Sequence, residues 1–143
     1  MFAALALPPN GYGDPMNNYT TLNLTDVKDL APDFGMKEMG EARFARDAVG
    51  AERIGMSYYR MNAGRRVGFG HRHGEVEEMY VVIAGSGRFK VDDEVFPVTT
   101  RDVVYCRPTA MREWEAGPDG LELLAFGGHA ENEAEMQPGW WTD

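Results

Sequence analysis

The stretch Gly64-Arg65-Arg66-Val67-Gly68-Phe69-Gly70-His71-Arg72-His73-Gly74-Glu75-Val76-Glu77-Glu78-Met79-Tyr80-Val81-Val82-Ile83-Ala84-Gly85 decides how this chain is read. Two short runs, Phe69–His73 and Glu78–Ala84, flank the turn-prone Gly74–Glu77, a strand–turn–strand pattern. On a strand, residues i and i+2 project from the same face, so His71 and His73 stand together and Arg72 points away. The turn is expected to return the second strand beside the first, where Glu78 reaches both imidazoles. Two His and one carboxylate on one face leave the opposite positions of a metal ion open, and this donor set suits Fe(II), Mn, Ni or Zn. Taken alone, His71-Arg72-His73 also reads as two hydrogen-bonded pocket residues, and Glu77-Glu78 as a solvated turn. The combined spacing points to the metal. The same alternation places Tyr80, Val82 and Ala84 on the face of Glu78, with the Tyr80 phenol one step deeper.

Outward from this stretch the pattern stays β. Further runs are Ile54–Met61, Arg88–Val91, Val95–Val98, Val103–Arg107, Met111–Glu115 and Leu121–Phe126, rich in Val, Tyr, Phe, Trp and Met. Turn signals lie between them: Asn62-Ala63-Gly64, Gly85-Ser86-Gly87, Asp92-Asp93 and Ala116-Gly117-Pro118-Asp119-Gly120. Short strands at even spacing with no helix between them predict an antiparallel sandwich or barrel, and crossover helices for a parallel sheet have no room. Gly85-Ser86-Gly87 reads as a hairpin turn, since no helix follows to make it a phosphate loop. Upstream, residues 8–20 are turn-rich and expected to be irregular. Thr25–Leu30 reads as a short helical turn with Thr25 as N-cap, limited by Pro32. Residues 36–49 carry helix-forming composition, yet Ala42-Arg43-Phe44-Ala45-Arg46 fits an outer strand, the reading preferred here. The acidic tail from Ala130 ends near Trp140-Trp141, two rings expected to pack on the barrel or on a second subunit.

The spacing in the first stretch resembles the first motif of the cupin family. There a Gly precedes His-x-His, a Glu follows after three or four residues, and a Gly six residues later. His71-Arg72-His73, four residues, Glu78, six residues and Gly85 match it, while Gly64 stands one residue further upstream than usual. The resemblance spans roughly residues 53–127. It implies a double-stranded β-helix, a jelly-roll barrel over residues 51–128, with an N-terminal extension (1–50) packed on it and a tail (129–143). It also implies His71, His73 and Glu78 as metal ligands. The family's second motif is only partly matched. Arg101-Asp102 opens the strand where a Gly-Asp is usual, and Arg112 stands where a fourth ligand, a His, is expected; Met111 and Glu113 are its neighbours in an adjacent register. A guanidinium stays protonated and has no lone pair for a metal. Arg112 reads in two ways: it captures a substrate carboxylate or phosphate beside the metal, or it pairs with Glu78 in the metal's place.

Arg112 and Trp114 share a face, and Trp114 offers a stacking surface, so Arg112, Tyr80 and Trp114 are the expected substrate contacts; core packing is the competing role for both rings. Cys106 reads as a small buried apolar residue and His129 as exposed. No Ser/His/Asp arrangement is present.

Composition sets the outer bounds. At 143 residues and 43% hydrophobic content, one folded domain is expected. Lys and Arg number 14 against 23 Asp and Glu, and the resulting −9 disfavours nucleic acid and anionic membranes as partners. A lone Cys106 precludes an internal disulfide and suggests a reducing, cytoplasmic setting. No apolar run approaches the ~18 residues of a membrane span. The apolar Met1–Leu7 lacks a basic leader and is halted by Pro8-Pro9, so it reads as a loose terminus or docking segment, not a signal peptide.

The expected function is a small metal-dependent cupin, oxygenase- or isomerase-like, acting on a small polar or anionic metabolite. A non-catalytic, metal-free ligand-binding cupin is the alternative, and an auxiliary subunit acting through its surface the third. A homodimer is expected from outward Val81 and Ile83, the apolar leader, Trp140-Trp141 and open sheet edges.

Overall fold

The computed structural model of the chain describes residues 18–130 and 133–143. The stretch Met1–Leu7 and the turn-rich residues up to 17 lie outside the described residues. Among the described residues there are eight strands: β1 (Gly40–Phe44), β2 (Ile54–Met61), β3 (Phe69–His73), β4 (Glu78–Val91), β5 (Glu94–Thr99), β6 (Val103–Cys106), β7 (Arg112–Gly128) and β8 (Ala134–Pro138). One short helix, α1 (Ala45–Val49), follows β1.

All pairings are antiparallel, and two long strands do the joining. The first part of β4 lies between β6 and the second part of β7, which in turn pairs with β2 and then β1. The second part of β4 lies between β5 and the first part of β7, which continues to β3 and β8. Two five-stranded layers therefore share β4 and β7, each strand running from one layer into the other. This is a double-stranded β-helix, the all-β fold expected from the spacing.

The long strands correct the sequence reading at their middles. Gly85-Ser86-Gly87 and Ala116–Gly120 were expected as turns, and Arg88–Val91 as a separate strand. They are continuous with β4 and β7, and the register shifts between Val82 and Ala84 and between Gly85 and Gly87. The reason is close backbone approach. A Cβ on Gly85 (φ +76°) would lie 2.2 Å from the Gly120 carbonyl oxygen, and one on Gly87 2.1 Å from that of Glu115. The glycines bend the strands across each other without ending them.

Other differences are local. The first helical turn is a 3-10 turn at Leu24–Asp26, capped by Asn23, whose Oδ1 accepts the Thr25 N–H at 2.9 Å; Thr25 is not the cap. Pro32 opens a second such turn, Pro32–Phe34, instead of only ending the first. The strand expected at Ala42–Arg46 is β1, but it stops at Phe44, and Ala45-Arg46 start α1, closed by Gly50 at φ 73°. Strand β4 does not run back beside β3: β3 pairs with β7 and with β8, a strand absent from the sequence reading. The tail tryptophans pack on their own chain. Trp141 is buried beneath the Arg66 guanidinium, 4.2 Å from its ring centre, and Trp140 lies against Gly70.

The inward faces of β4 and β7 make the core. Tyr80, Val82, Phe89, Trp114, Leu121 and Leu123 are all fully buried. Trp114 sits at the centre of an aromatic cluster, 5.1 Å from Tyr80, 5.6 Å from Phe89 and 5.2 Å from Tyr59 between ring centres. Cys106 is buried and His129 exposed, as expected. Among the described residues no helix is long and apolar enough to cross a membrane.

Candidate metal centre

Strand β3 supplies His71 and His73 on one face, and Glu78 is the first residue of β4. Although β3 and β4 are unpaired, the three side chains converge. The Nε2 atoms of His71 and His73 each lie 2.8 Å from the same oxygen, Oε1 of Glu78. The Tyr80 hydroxyl donates to that oxygen at 2.9 Å. All three side chains remain partly open to solvent.

Strand pairing puts Arg112 directly opposite His71 on β7. Its side chain is completely buried, with Nη2 3.3 Å from Glu78 Oε1. That contact is an ion pair without a hydrogen bond, and Nη2 has no hydrogen-bond partner. The rest of the guanidinium is tethered: Nε donates to the Tyr80 hydroxyl at 3.2 Å, and Nη1 to the carbonyls of Pro108 at 3.2 Å and Ala110 at 2.5 Å. Met111 is a buried core residue, and Glu113 points to the other face, where its Oε1 accepts the Gly68 N–H at 2.9 Å.

These contacts set the ionisation states. Burial works against the charge on Glu78, yet hydrogen bonds and positive charge from His71 and His73 outweigh it and hold the carboxyl well below the usual range. His73 is raised, first by its hydrogen bond to Glu78, against burial, with Glu133 adding to the rise. Burial pushes the Tyr80 phenol far up, helped by the Glu78 charge, so it stays protonated and donates. Cys106 is pushed up to about 11 by burial and stays a thiol.

The residue that sequence reading missed is Glu133. Its Oε1 lies 2.6 Å from His73 Nδ1, while Oε2 accepts the backbone N–H groups of Gly74 and Glu75 at 2.9 and 2.7 Å. Nothing in the polar run around it marks it; only the pairing of β8 with β3 brings it there.

The donor set fits a divalent ion. One donor atom from each of His71, His73 and Glu78 falls within 4.8 Å of the others. Donors about 2.1 Å from a shared ion sit ~3 Å apart when near right angles, close to the 2.8 Å seen here. A ring that gives its Nδ1–H to a carboxylate, as His73 can to Glu133, presents its Nε2 lone pair inward. Of the expected substrate contacts, Tyr80 and Arg112 touch this cluster. Trp114 lies behind it in the core, its ring centre 6.1 Å from that of His71.

Residues 57–124 match the Cupin domain family. No curated protein matches the sequence. Solved structures share its fold. A cupin protein from Bacteroides fragilis is 21% identical with a TM-score of 0.66, over 82% of this chain and 89% of that one. Oxalate decarboxylase from Bacillus subtilis is 21% identical with a TM-score of 0.68, over 90% of this chain; the match spans only 34% of the decarboxylase. A sugar phosphate isomerase from Silicibacter pomeroyi is 15% identical with a TM-score of 0.64, over 83% and 92% of the two chains. With the domain match over residues 57–124 laid on a double-stranded β-helix, the chain is similar to the cupin superfamily in both sequence and fold.

Proposed function

We propose that this cupin binds one divalent metal ion through His71, His73 and Glu78 and acts, in the manner of an oxygenase or isomerase, on a small anionic metabolite. The observation that carries this reading is the convergence of both imidazole Nε2 atoms on one oxygen of Glu78 at 2.8 Å. A bound ion of Fe, Mn, Ni or Zn supplies Lewis-acid polarisation and open positions for substrate. The chain's own residues do the rest. Arg112 is fully buried and tethered by Tyr80 and two backbone carbonyls, so it acts as a held positive charge at the inner wall, favouring an anionic ligand over a neutral one. Tyr80 holds Glu78 by its hydroxyl, and Trp114 backs the wall. Two structures sharing the fold are named for oxalate and for sugar phosphates, which are anions at neutral pH.

One experiment tests the reading. The Co(II)-loaded chain is titrated with a dicarboxylate and with inorganic phosphate, following the visible spectrum. Wild type is expected to respond to one of them at lower concentration than Arg112→Ala, with both chains loaded. Identical responses would remove Arg112 from substrate selection. The ion pair between Arg112 and Glu78, at 3.3 Å, favours a second reading, a metal-free ligand-binding cupin in which the guanidinium takes the metal's place. The lone buried thiol supports a reducing, cytoplasmic setting in either case.

The proposed partner besides the ligand is a second copy of the chain. On the outer face of β6, β4, β7 and β2, register aligns Tyr105, Met79, Phe126 and Met56 in one row and Val103, Val81, Leu124 and Tyr58 in the next. Met79, Val103, Tyr105 and Phe126 are each 40–57% exposed. An antiparallel sheet that met only water on this side would alternate to polar residues here.

A further inference from the structure

Strand β8 is exposed along its whole length, yet the residue just before it is drawn inward. The Glu133 side chain is 15% exposed, whereas Glu135, two residues on, is 59% exposed and pairs at 2.8 Å with the outward Arg72. Surface pairs such as Glu135–Arg72 contribute little. Glu133 is different in kind. Its Oε2 is met by three successive amides, those of Gly74, Glu75 and Val76 at 2.9, 2.7 and 3.3 Å, a nest for a carboxylate oxygen. Its backbone carbonyl accepts the Gly74 N–H as well, at 3.2 Å. Its other oxygen stands 2.6 Å from His73 Nδ1. One carboxylate therefore grips a ring of the candidate centre and the turn that joins His73 to Glu78.

The strand behind it is anchored at both ends. Pairing runs from His73↔Ala134 to Phe69↔Pro138. Beyond it Trp140 fills the space over Gly70, where an added Cβ would lie 2.7 Å from the indole. Glu133 is thus presented by a fixed element.

We propose that Glu133 is a positioning residue: by holding the Nδ1–H of His73 and the Gly74–Val76 turn together, it aims the His73 Nε2 lone pair and Glu78 at one point. The inference rests on the reading of His71, His73 and Glu78 as a metal centre. A free imidazole divides its proton between two nitrogens and turns about its ring bond. Fixing both removes the arrangements that cannot ligate, and such partners are worth about 10–100-fold in metal affinity.

The test compares Zn(II) affinity of the full chain with that of Glu133→Ala, Glu133→Gln, Glu135→Gln and His73→Ala, alongside ¹⁵N spectra of the imidazoles and melting curves. Glu133→Ala is expected to bind about 10–100-fold more weakly, with Glu133→Gln recovering part of the loss through its one carbonyl oxygen. Glu135→Gln should stay within about twofold of wild type. Glu133→Ala binding like wild type, while His73→Ala does not bind, overturns the positioning role and leaves the metal centre standing. Should Glu133→Ala fail to fold, Glu133→Gln decides: weaker binding at an unchanged melting temperature upholds the role, and equal binding overturns it. If wild type binds no better than His73→Ala, the metal reading fails, and the metal-free ¹⁵N spectra judge Glu133 alone. A hydrogen-bonded Nδ1 proton on His73 that survives in Glu135→Gln and disappears in Glu133→Ala upholds its orienting role; spectra unchanged in Glu133→Ala overturn it.

Discussion

Arg112 is the residue at which this site departs from the pattern it resembles. It occupies the position opposite His71, its charge is shared with Glu78, and it brings no lone pair. Arg112→His would supply an imidazole there and remove the competing charge, and Zn(II) affinity should rise by roughly tenfold or more, about 1.4 kcal/mol or above. Calorimetric titration of the two chains checks this; an unchanged affinity would mean that position 112 does not reach the ion. The linked ionisations make a second prediction. Glu78, held low, contributes stability above its ordinary value of 4.5, and this is lost as pH falls through its depressed folded value. His73, held high, contributes stability that is complete below its ordinary 6.5 and lost as pH rises through its raised folded value. The metal-free chain should therefore melt highest at about pH 4.5–6.5 and lose stability above that range, and His73→Ala should flatten the alkaline limb. A wild-type melting temperature that climbs from pH 6 to 8 would contradict it. His71, His73, Glu78 and Arg112 were legible in the sequence because alternation and motif spacing are local properties. Glu133 was not, because its place depends on a strand pairing 60 residues away from His73.

At the scale of the elements, the strands were legible through β-branched and aromatic runs, but their ends were not. Gly85 and Gly87 carry the composition of a turn, and in isolation a glycine at a turn and one at a strand crossing look alike. What separates them is the partner backbone, the carbonyls of Gly120 and Glu115 about 2 Å from where a Cβ would stand. Strand β8 was less legible for another reason: Ala134, Met136 and Pro138 do alternate with Glu135 and Gln137, but the run has no β-branched or aromatic residue and stays wholly exposed, so no burial marks either face. The crossing predicts that Gly85→Ala, which combines a positive φ with backbone overlap, costs about 3 kcal/mol or more and lowers the melting temperature by roughly 10 °C. Gly35→Ala, also at positive φ but with open space around it, should cost only about 1 kcal/mol. Equal losses in the two would deny that the β4–β7 crossing is tightly packed.

For the whole molecule, the expected partner follows from the outer face of the β6–β4–β7–β2 layer. Of the two places expected for the tail tryptophans, the barrel or a second subunit, the rings take the first: Trp141 packs under Arg66, and Trp140 lies against Lys90 and Gly70 of the same chain, which leaves the apolar rows as the stronger argument for a dimer. Sedimentation should give a species of twice the 15.9 kDa chain mass, and Met79→Glu with Tyr105→Glu should reduce it to the monomer. A monomer in the wild type at micromolar concentration would contradict the assignment.

The metal remains the centre of the account, and its most direct test is elemental. Wild type and His73→Ala are loaded with Zn(II) or Mn(II), desalted, and assayed for metal per chain. About one ion per wild-type chain and almost none in His73→Ala are expected, since the variant loses one of three ligands. Equal emptiness of the two, with Arg112→His alone retaining metal, would contradict this and show that Arg112 has taken the ion's place.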